Sequence, residues 1–278
     1  MFFLMKSLRI EIIVLIRKII NLIPFKLRLT LIKIFPKLKL GKIFRHGNNS
    51  KNYKFYLKEF NTKFYLSDSI LLKKIFWLGL ESYENRLPIL YRKLSFNKSV
   101  LEIGANLGFY TCIGGKVAKK YYCYEPIKKN FRELKKNLNL NSLNNVKAFN
   151  FAVTDNKNDF VSLYTPNEDR SDITTGASLL AISKKYEKCK AINIVKLINK
   201  TKPQLIKMDI EGYEYDLLLK FKNYVKQKKP VIICELNNPK SVNLLLDLKP
   251  IRIIDIDGKK ISKKNIFSYK YRDCIFFY

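Results

Sequence analysis

The sequence predicts an α/β fold in which short apolar strands end in a glycine turn or a carboxylate. Four stretches carry that prediction. Val100 to Ile103 is an apolar run stopped by Gly104, with Gly108 where a helix can begin. Tyr121 to Tyr124 is a second strand, closed by Glu125. Leu205 to Met208 and Pro230 to Glu235 are two more, ending in Asp209 and Glu235. Strand, glycine turn, helix and strand make a βαβ opening, and an open sheet of this kind binds ligands outside the carboxyl ends of its strands.

Taken in order, residues 1–23 place Leu8, Ile12, Leu15, Ile16, Ile19, Leu22 and Ile23 at helical spacing, with Lys6, Arg9 and Arg17 opposite and Pro24 as the stop. Charges interrupt this amphipathic helix too often for a transmembrane span, and no small-residue site marks a cleaved leader. Eleven Lys/Arg and one acid lie between Met1 and Arg45. Such a segment either lies flat on an anionic membrane or docks its apolar face on the rest of the chain. Residues 25–45 fit helix and strand periods alike, and a polar break follows at His46. Tyr53 to Leu57 and Thr62 to Leu66 can pair as a hairpin. A helix opening near Gly79 to Glu84 runs to about Leu94. The expected organisation is a basic extension over 1–45, a hairpin and helix lead-in over 46–95, and the α/β domain over 96–278.

Within that domain, Lys128 to Leu140 is helical in pattern, Asn145 to Val153 reads as a third strand, and Phe160 to Tyr164 as a further one. Thr165 to Gly176 reads as a polar loop, and acceptor specificity is expected from residues 165–190 together with the amino-terminal segment. Lys207 interrupts the strand before Asp209, and on its own reads as a strand lysine snorkelling to solvent. Glu211 and Glu214 open the next helix on one face, Glu214 equally well as an ordinary capping charge. Ile251 to Ile256 and Cys274 to Tyr278 read as a closing antiparallel pair. Acids at 125, 209 and 235 would then line one edge of one sheet.

Composition narrows the partners. The 278 residues carry 54 basic and 23 acidic side chains, a formal net charge of +31. That excess favours a polyanion, namely nucleic acid, an acidic membrane or an anionic glycan, although lysine abundance also follows from an AT-rich genome. Five unpatterned cysteines suggest a reducing compartment. A single histidine argues against a Ser-His-Asp triad or a His-rich metal site, and no metal is assigned. The expected location is the cytoplasm, with peripheral contact at the inner face of the membrane.

The glycine pattern bears on the cofactor. A dinucleotide fingerprint needs G-x-G-x-x-G, whereas this chain has E-x-G-x-x-x-G with Glu102 where the first glycine would stand. An acid before the turn, and Glu125 placed to accept ribose hydroxyls, suit a cofactor with an ammonium group beside its nucleoside. S-adenosylmethionine has both.

The ordered set LEIGANLGFYT, YEP followed by Asn130, Leu134 and Asn137, then NFAVTD, KMDIEGYE and IICE, with GLESYE upstream, resembles the FkbM-type methyltransferases. The resemblance implies a Rossmann-like class I methyltransferase fold: a seven-stranded, mostly parallel sheet with helices on both faces and a reversed last strand. It implies an S-adenosylmethionine-dependent enzyme, many relatives of which O-methylate sugar hydroxyls or polyketides. Glu102 departs from the aspartate usual in the family. Carried over by position, Glu102, Gly104, Asn106 and Gly108 would hold the methionine end and Glu125 the ribose, with Ala152 near the adenine. Asp209 and Glu211, with Lys207 nearby, would sit beside the transferred methyl, Asp209 or Glu211 as base. The expectation is O-methylation of a glycan, glycolipid or related natural product. The alternatives are an RNA methyltransferase, which lacks support from any N/D-P-P-Y/F motif, and a membrane-binding scaffold with an idle cofactor pocket.

Overall fold

The computed structural model describes residues 54–66, 69–80, 83–84, 86–165, 177–180, 185–236, 238–269 and 273–278, together with Ile19, Leu22 and Leu27. These last three are helical and exposed; the rest of the expected amino-terminal helix, the 25–45 segment and nearly all of the 165–176 loop lie outside the described residues. Among the described residues no helix is long and apolar enough to cross a membrane.

The chain falls into two compact units. The smaller comprises residues 1–55 and 65–85, the larger 56–64 and 86–278. Strands β1 (Lys54–Leu57) and β2 (Thr62–Tyr65) form a two-stranded sheet, as the hairpin reading expected. Helix α1 (Ile70–Leu78), capped by the Ser69 hydroxyl, belongs to the smaller unit, where Phe76 meets Phe55 edge to face. The expected helix from Gly79 is shorter: α2 spans Leu87–Ser95 and carries proline in its first turn, where a missing N–H costs nothing.

The larger unit holds a seven-stranded sheet. Its strands are β3 (Ser99–Ile103), β4 (Lys120–Tyr124), β5 (Val146–Phe149), β9 (Leu205–Met208), β10 (Val231–Glu235), β11 (Arg252–Asp255) and β12 (Asp273–Phe277). Their spatial order is β11-β12-β10-β9-β3-β4-β5. Pairings from β10 to β5 are parallel; β12 runs antiparallel to both β10 and β11. Parallel strands covered on both faces read as unbroken apolar runs, and β9 is buried at all four positions. Helices α3 (Phe109–Gly115), α4 (Lys128–Leu140), α5 (Ile194–Thr201), α6 (Glu214–Lys228) and α7 (Pro239–Asp247) connect the strands. The main core joins Leu101, Ile103, Ile206, Met208 and Ile232 of the sheet to Leu217, Leu218 and Phe221 of α6.

The expected third strand is two strands. β5 ends at Phe149, and the chain then leaves the main sheet to form β6 (Ala152–Thr154) in a second, three-stranded sheet. Asn150 makes the break, because its side-chain amide donates to the carbonyls of Glu125 (2.8 Å) and Pro126 (2.7 Å). The second sheet has the order β6-β8-β7, with β7 Phe160–Tyr164 and β8 Tyr186–Asn193. The end of the 165–190 stretch from which acceptor specificity is expected is therefore part of a strand, β8, which the sequence reading did not foresee, and Asn193 caps α5 directly after it.

Candidate active site

Strand order reverses between β3 and β9, and the turns leaving these two strands meet at their carboxyl ends. Asp209 N–H donates to Ile103 O (3.1 Å), while Gly104 and Ala105 N–H both reach Tyr124 O. Gly104 has φ +85°, and a methyl group on it would overlap the Asp209 carbonyl oxygen. Only glycine lets these two turns pack together. Gly108 has a packing role that the sequence does not display. Its φ of +86° starts α3, and a side chain there would meet Leu134 of α4, so the missing Cβ also makes room for helix packing.

Asn106 is left-handed at φ +50°, a conformation asparagine tolerates. Its N–H donates to Glu125 Oε2 (2.7 Å), and Ile127 N–H donates to Glu125 Oε1 (2.9 Å). Glu125 is thus a bridge from the glycine turn to the start of α4. It is 4% exposed, and burial pushes its carboxyl up to about 7 despite these bonds. Ala152 packs in a small cluster with Ile127, Leu163 and Cys189, so its side chain belongs to the wall behind the cleft.

Glu102 and Lys207 lie below the cleft floor, side by side in the β3–β9 register. The Glu102 carboxylate is 2% exposed and accepts from Thr111 Oγ1 (2.5 Å) and Tyr121 Oη (2.6 Å); the Tyr121 hydroxyl also meets that of Tyr91 (2.5 Å). Burial raises its pKa to about 7, with the Lys207 charge opposing the rise. The structure therefore sets Glu102 beneath the turn, bracing α3 on the sheet, rather than on the cleft surface. Lys207 does not snorkel. It is 1% exposed, with its ammonium 3.0 Å from Asp209 Oδ2, 4.0 Å from Asp273 Oδ2 and 4.9 Å from the centre of the Tyr110 ring.

Above them Asp209, Glu211 and Glu235 each place a carboxylate oxygen within 4.8 Å of the others. Carboxylates so grouped are common without a metal, and none is assigned to them. Glu211 is left-handed at φ +53° and is followed by Gly212 at +101°. Glu214 Oε1 accepts the N–H groups of Ile210 (3.2 Å) and Gly212 (3.3 Å), and Ser178 Oγ donates to Glu211 O (2.9 Å). A non-glycine residue held in this region is the kind of local strain that functional turns retain. Partial burial, then the charges of Asp209, Glu235 and Glu214, push the Glu211 carboxyl up to about 7. Tyr213, next in the turn, is hydrogen-bonded to Asp155 (2.5 Å).

The structure thus brings Gly104, Asn106, Glu125, Asp209 and Glu211 to one sheet edge, with Glu102 and Lys207 below and Ala152 behind. Sequence reasoning missed Ser178, which acts through a position far along the chain and stands in no motif, and it did not foresee that Asn150, the first residue of NFAVTD, bonds back to the Glu125 and Pro126 carbonyls. The donor set suits S-adenosylmethionine: a carboxylate at the end of β4 for a ribose, and acids around the β9 turn for a cationic sulfonium and ammonium.

A family model described as the methyltransferase FkbM domain matches residues 102–248. No curated protein matches the chain. Among solved structures, a methyltransferase FkbM from Methylobacillus flagellatus KT aligns at 15% identity and TM-score 0.41, over 74% of this chain and 53% of that one. This chain therefore spans about half the length of that relative. Trm5b from Pyrococcus abyssi aligns at 10% identity and TM-score 0.42, over 82% of this chain and 55% of that one. A precorrin-6y C5,15-methyltransferase from Geobacter metallireducens GS-15 gives 10% and 0.39, over 69% and 86%.

Proposed function

The chain belongs to the FkbM methyltransferase family of S-adenosylmethionine-dependent enzymes, and on that premise we propose that it methylates a hydroxyl oxygen of a glycan, glycolipid or related natural product. The observation that carries this reading is Glu211. It is a solvent-exposed residue at the ligand-binding edge of the sheet whose carboxyl is raised, by desolvation within its turn and by neighbouring acids, to about 7, where a base is most effective near neutral pH.

Gly104 and Asn106 would line the methionine end of the cofactor, Glu125 the ribose, and Asp209 the sulfonium. When bound, the cofactor supplies a methyl carbon whose bond to sulfur breaks as its bond to the acceptor oxygen forms. Glu211 accepts the proton that the acceptor hydroxyl gives up. Lys207 holds Asp209 from below, so the two carboxylates differ in role: one is anchored to a buried cation and the other is poised to take a proton. Alignment of acceptor and methyl supplies much of the acceleration in such a displacement.

Calorimetric titration with S-adenosylmethionine, alongside Glu125→Ala, tests the cofactor assignment, and labelled-methyl transfer with Glu211→Gln tests the base. Micromolar binding lost in Glu125→Ala, and transfer lost in Glu211→Gln with binding retained, is the expected pattern. Folded wild-type protein that binds no cofactor sinks the reading. RNA is the second candidate acceptor, favoured by the row of Lys128, Lys129, Arg132, Lys135 and Lys136 exposed along α4. Binding through phosphates would weaken steeply as salt rises.

A further inference from the structure

In the second sheet β6 is buried throughout, with Val153 in the main core, whereas the β7–β8 ladder has one face against Ala152 and Ile127 and the other toward solvent, and register decides which side chains go where. Leu163 and Cys189 face inward with Ala152 and Ile127, and Val161, Ala177 and Leu179 pack against them. Strand alternation then puts Phe160, Ser162 and Tyr164 of β7 on the other face, opposite Lys190, Lys188 and Tyr186 of β8. Phe160 is 49% and Tyr186 62% exposed, and both lysines are exposed. These strands place no carboxylate on that face; Glu187, opposite Leu163, belongs to the inner one.

The same face reaches the active site. Tyr164 and Ser178 form an antiparallel bridge, exchanging N–H···O bonds of 2.8 and 2.9 Å, so their side chains lie on one side of the sheet. Ser178 Oγ donates to Glu211 O from that side and accepts from Leu180 N–H (3.1 Å). Leu180 in turn lies against Gly212, 3.3 Å from where a Cβ would stand. The aromatic and cationic face is therefore joined, through buried Ser178 and exposed Leu180, to the turn that carries Glu211.

We propose that this face is the acceptor platform, and that its occupant is an anionic glycan whose methylated hydroxyl projects toward Glu211. The inference rests on the O-methylation reading above and names its substrate class. Tyrosine rings pack against the apolar faces of sugars and their hydroxyls bond to sugar hydroxyls, while lysines pair with carboxylate or sulfate groups. A single-stranded nucleic acid fits less well. Base stacking needs a run of free ring faces, but the Lys188 ammonium already lies over Phe160 at 5.0 Å, and the Tyr164 and Tyr186 rings are tilted 52° to each other.

The test is fluorescence anisotropy with three labelled probes, an oligogalacturonate, a sulfated heparin oligosaccharide and poly(U), on wild-type protein and on Tyr186→Ala/Lys188→Ala. Both substitutions are at exposed positions, and calorimetry with S-adenosylmethionine monitors the cofactor site independently. The proposal expects at least one acidic oligosaccharide to bind wild type and to bind the double variant about ten-fold more weakly, with cofactor affinity unchanged. Failure of both oligosaccharides to bind, equal binding by the variant, or loss of poly(U) binding alone would each overturn it. Absence of cofactor binding with the platform intact would instead remove the methyltransfer reading and leave a glycan-binding face.

Discussion

Substituting Glu102 with glutamine separates the buried network beneath the site from the chemistry above it. Thr111 and Tyr121 both donate to Glu102, and the amide oxygen of glutamine can accept the same two bonds. What the substitution removes is a titration. Burial raises the Glu102 carboxyl from an ordinary 4.5 to about 7, so between these values the folded protein holds a proton that the unfolded chain has released. The stability linked to that proton is complete below about pH 4.5 and is lost as pH rises through about 7. The whole shift is worth about 3 kcal/mol, most of which falls between about pH 5 and pH 8.5. Urea unfolding of wild type and Glu102→Gln at those two pH values measures it. Contributions from Glu125 and Glu214, also raised to about 7 by burial, are common to both proteins and cancel in the comparison. Wild type should lose about 2–3 kcal/mol more than the variant on going to high pH. Parallel behaviour within about 0.5 kcal/mol would refute the account of Glu102 as a buried, proton-holding brace.

Lys207→Met should lower stability by about 3–5 kcal/mol, since it leaves Asp273 buried beside a lost cation, and thermal melts would register the drop. Gly104→Ala forces a methyl onto the Asp209 carbonyl at a positive φ and should cost about 2–4 kcal/mol in chemical denaturation while abolishing cofactor binding. Once an acceptor is in hand, the methyl-transfer rate at saturating substrate should rise with pH through about 7, as Glu211 loses its proton. A flat profile from pH 6 to 8 would exclude Glu211 as the base. Glu211→Gln should reduce that rate roughly 10²–10⁴-fold, read by the same labelled-methyl assay.

What could be read from the sequence follows from how the sheet is buried. Val100 to Ile103, Tyr121 to Tyr124, Leu205 to Met208 and Val231 to Cys234 are strands of the parallel part of the sheet, and two covered faces write themselves as largely apolar runs, broken only at Glu102 and Lys207, whose ends are easy to see. The acids at 125, 209 and 235 fall at three of those ends, so their shared edge was legible too. Asn150 was not, because a strand break caused by a side chain reaching back to the Glu125 and Pro126 carbonyls leaves no pattern in hydrophobicity. Helix α1, reading ILLKKIFWL, is too uniformly apolar to display a period. Gly108 shows that a residue can have a second reason the sequence does not display: its Cβ would meet Leu134, which only the packing of α4 reveals. Lys207 looked like a surface lysine because sequence shows a charge without showing the carboxylates folded around it.

The second sheet has a property that bears on how such an enzyme changes what it acts upon. Its first and last strands, β6 and β8, are direct neighbours, with Thr154 beside Asn193, so the chain leaves the main fold and rejoins it at nearly the same place. Everything between those two positions can be exchanged, lengthened or reshaped without altering the spacing of the strands that carry Gly104, Glu125 and Asp209. A replacement must keep the contacts that tie this length to the rest of the fold: the Ser178 hydroxyl on the Glu211 turn, Asp155 on the Tyr213 hydroxyl, and the packing of Leu163 and Cys189 on Ile127. On the platform proposed above, substrate preference and methyl-donor binding lie in separate lengths of chain, and grafting residues 155–190 from one homologue into another, with those contacts kept, should move the first while leaving the second in place.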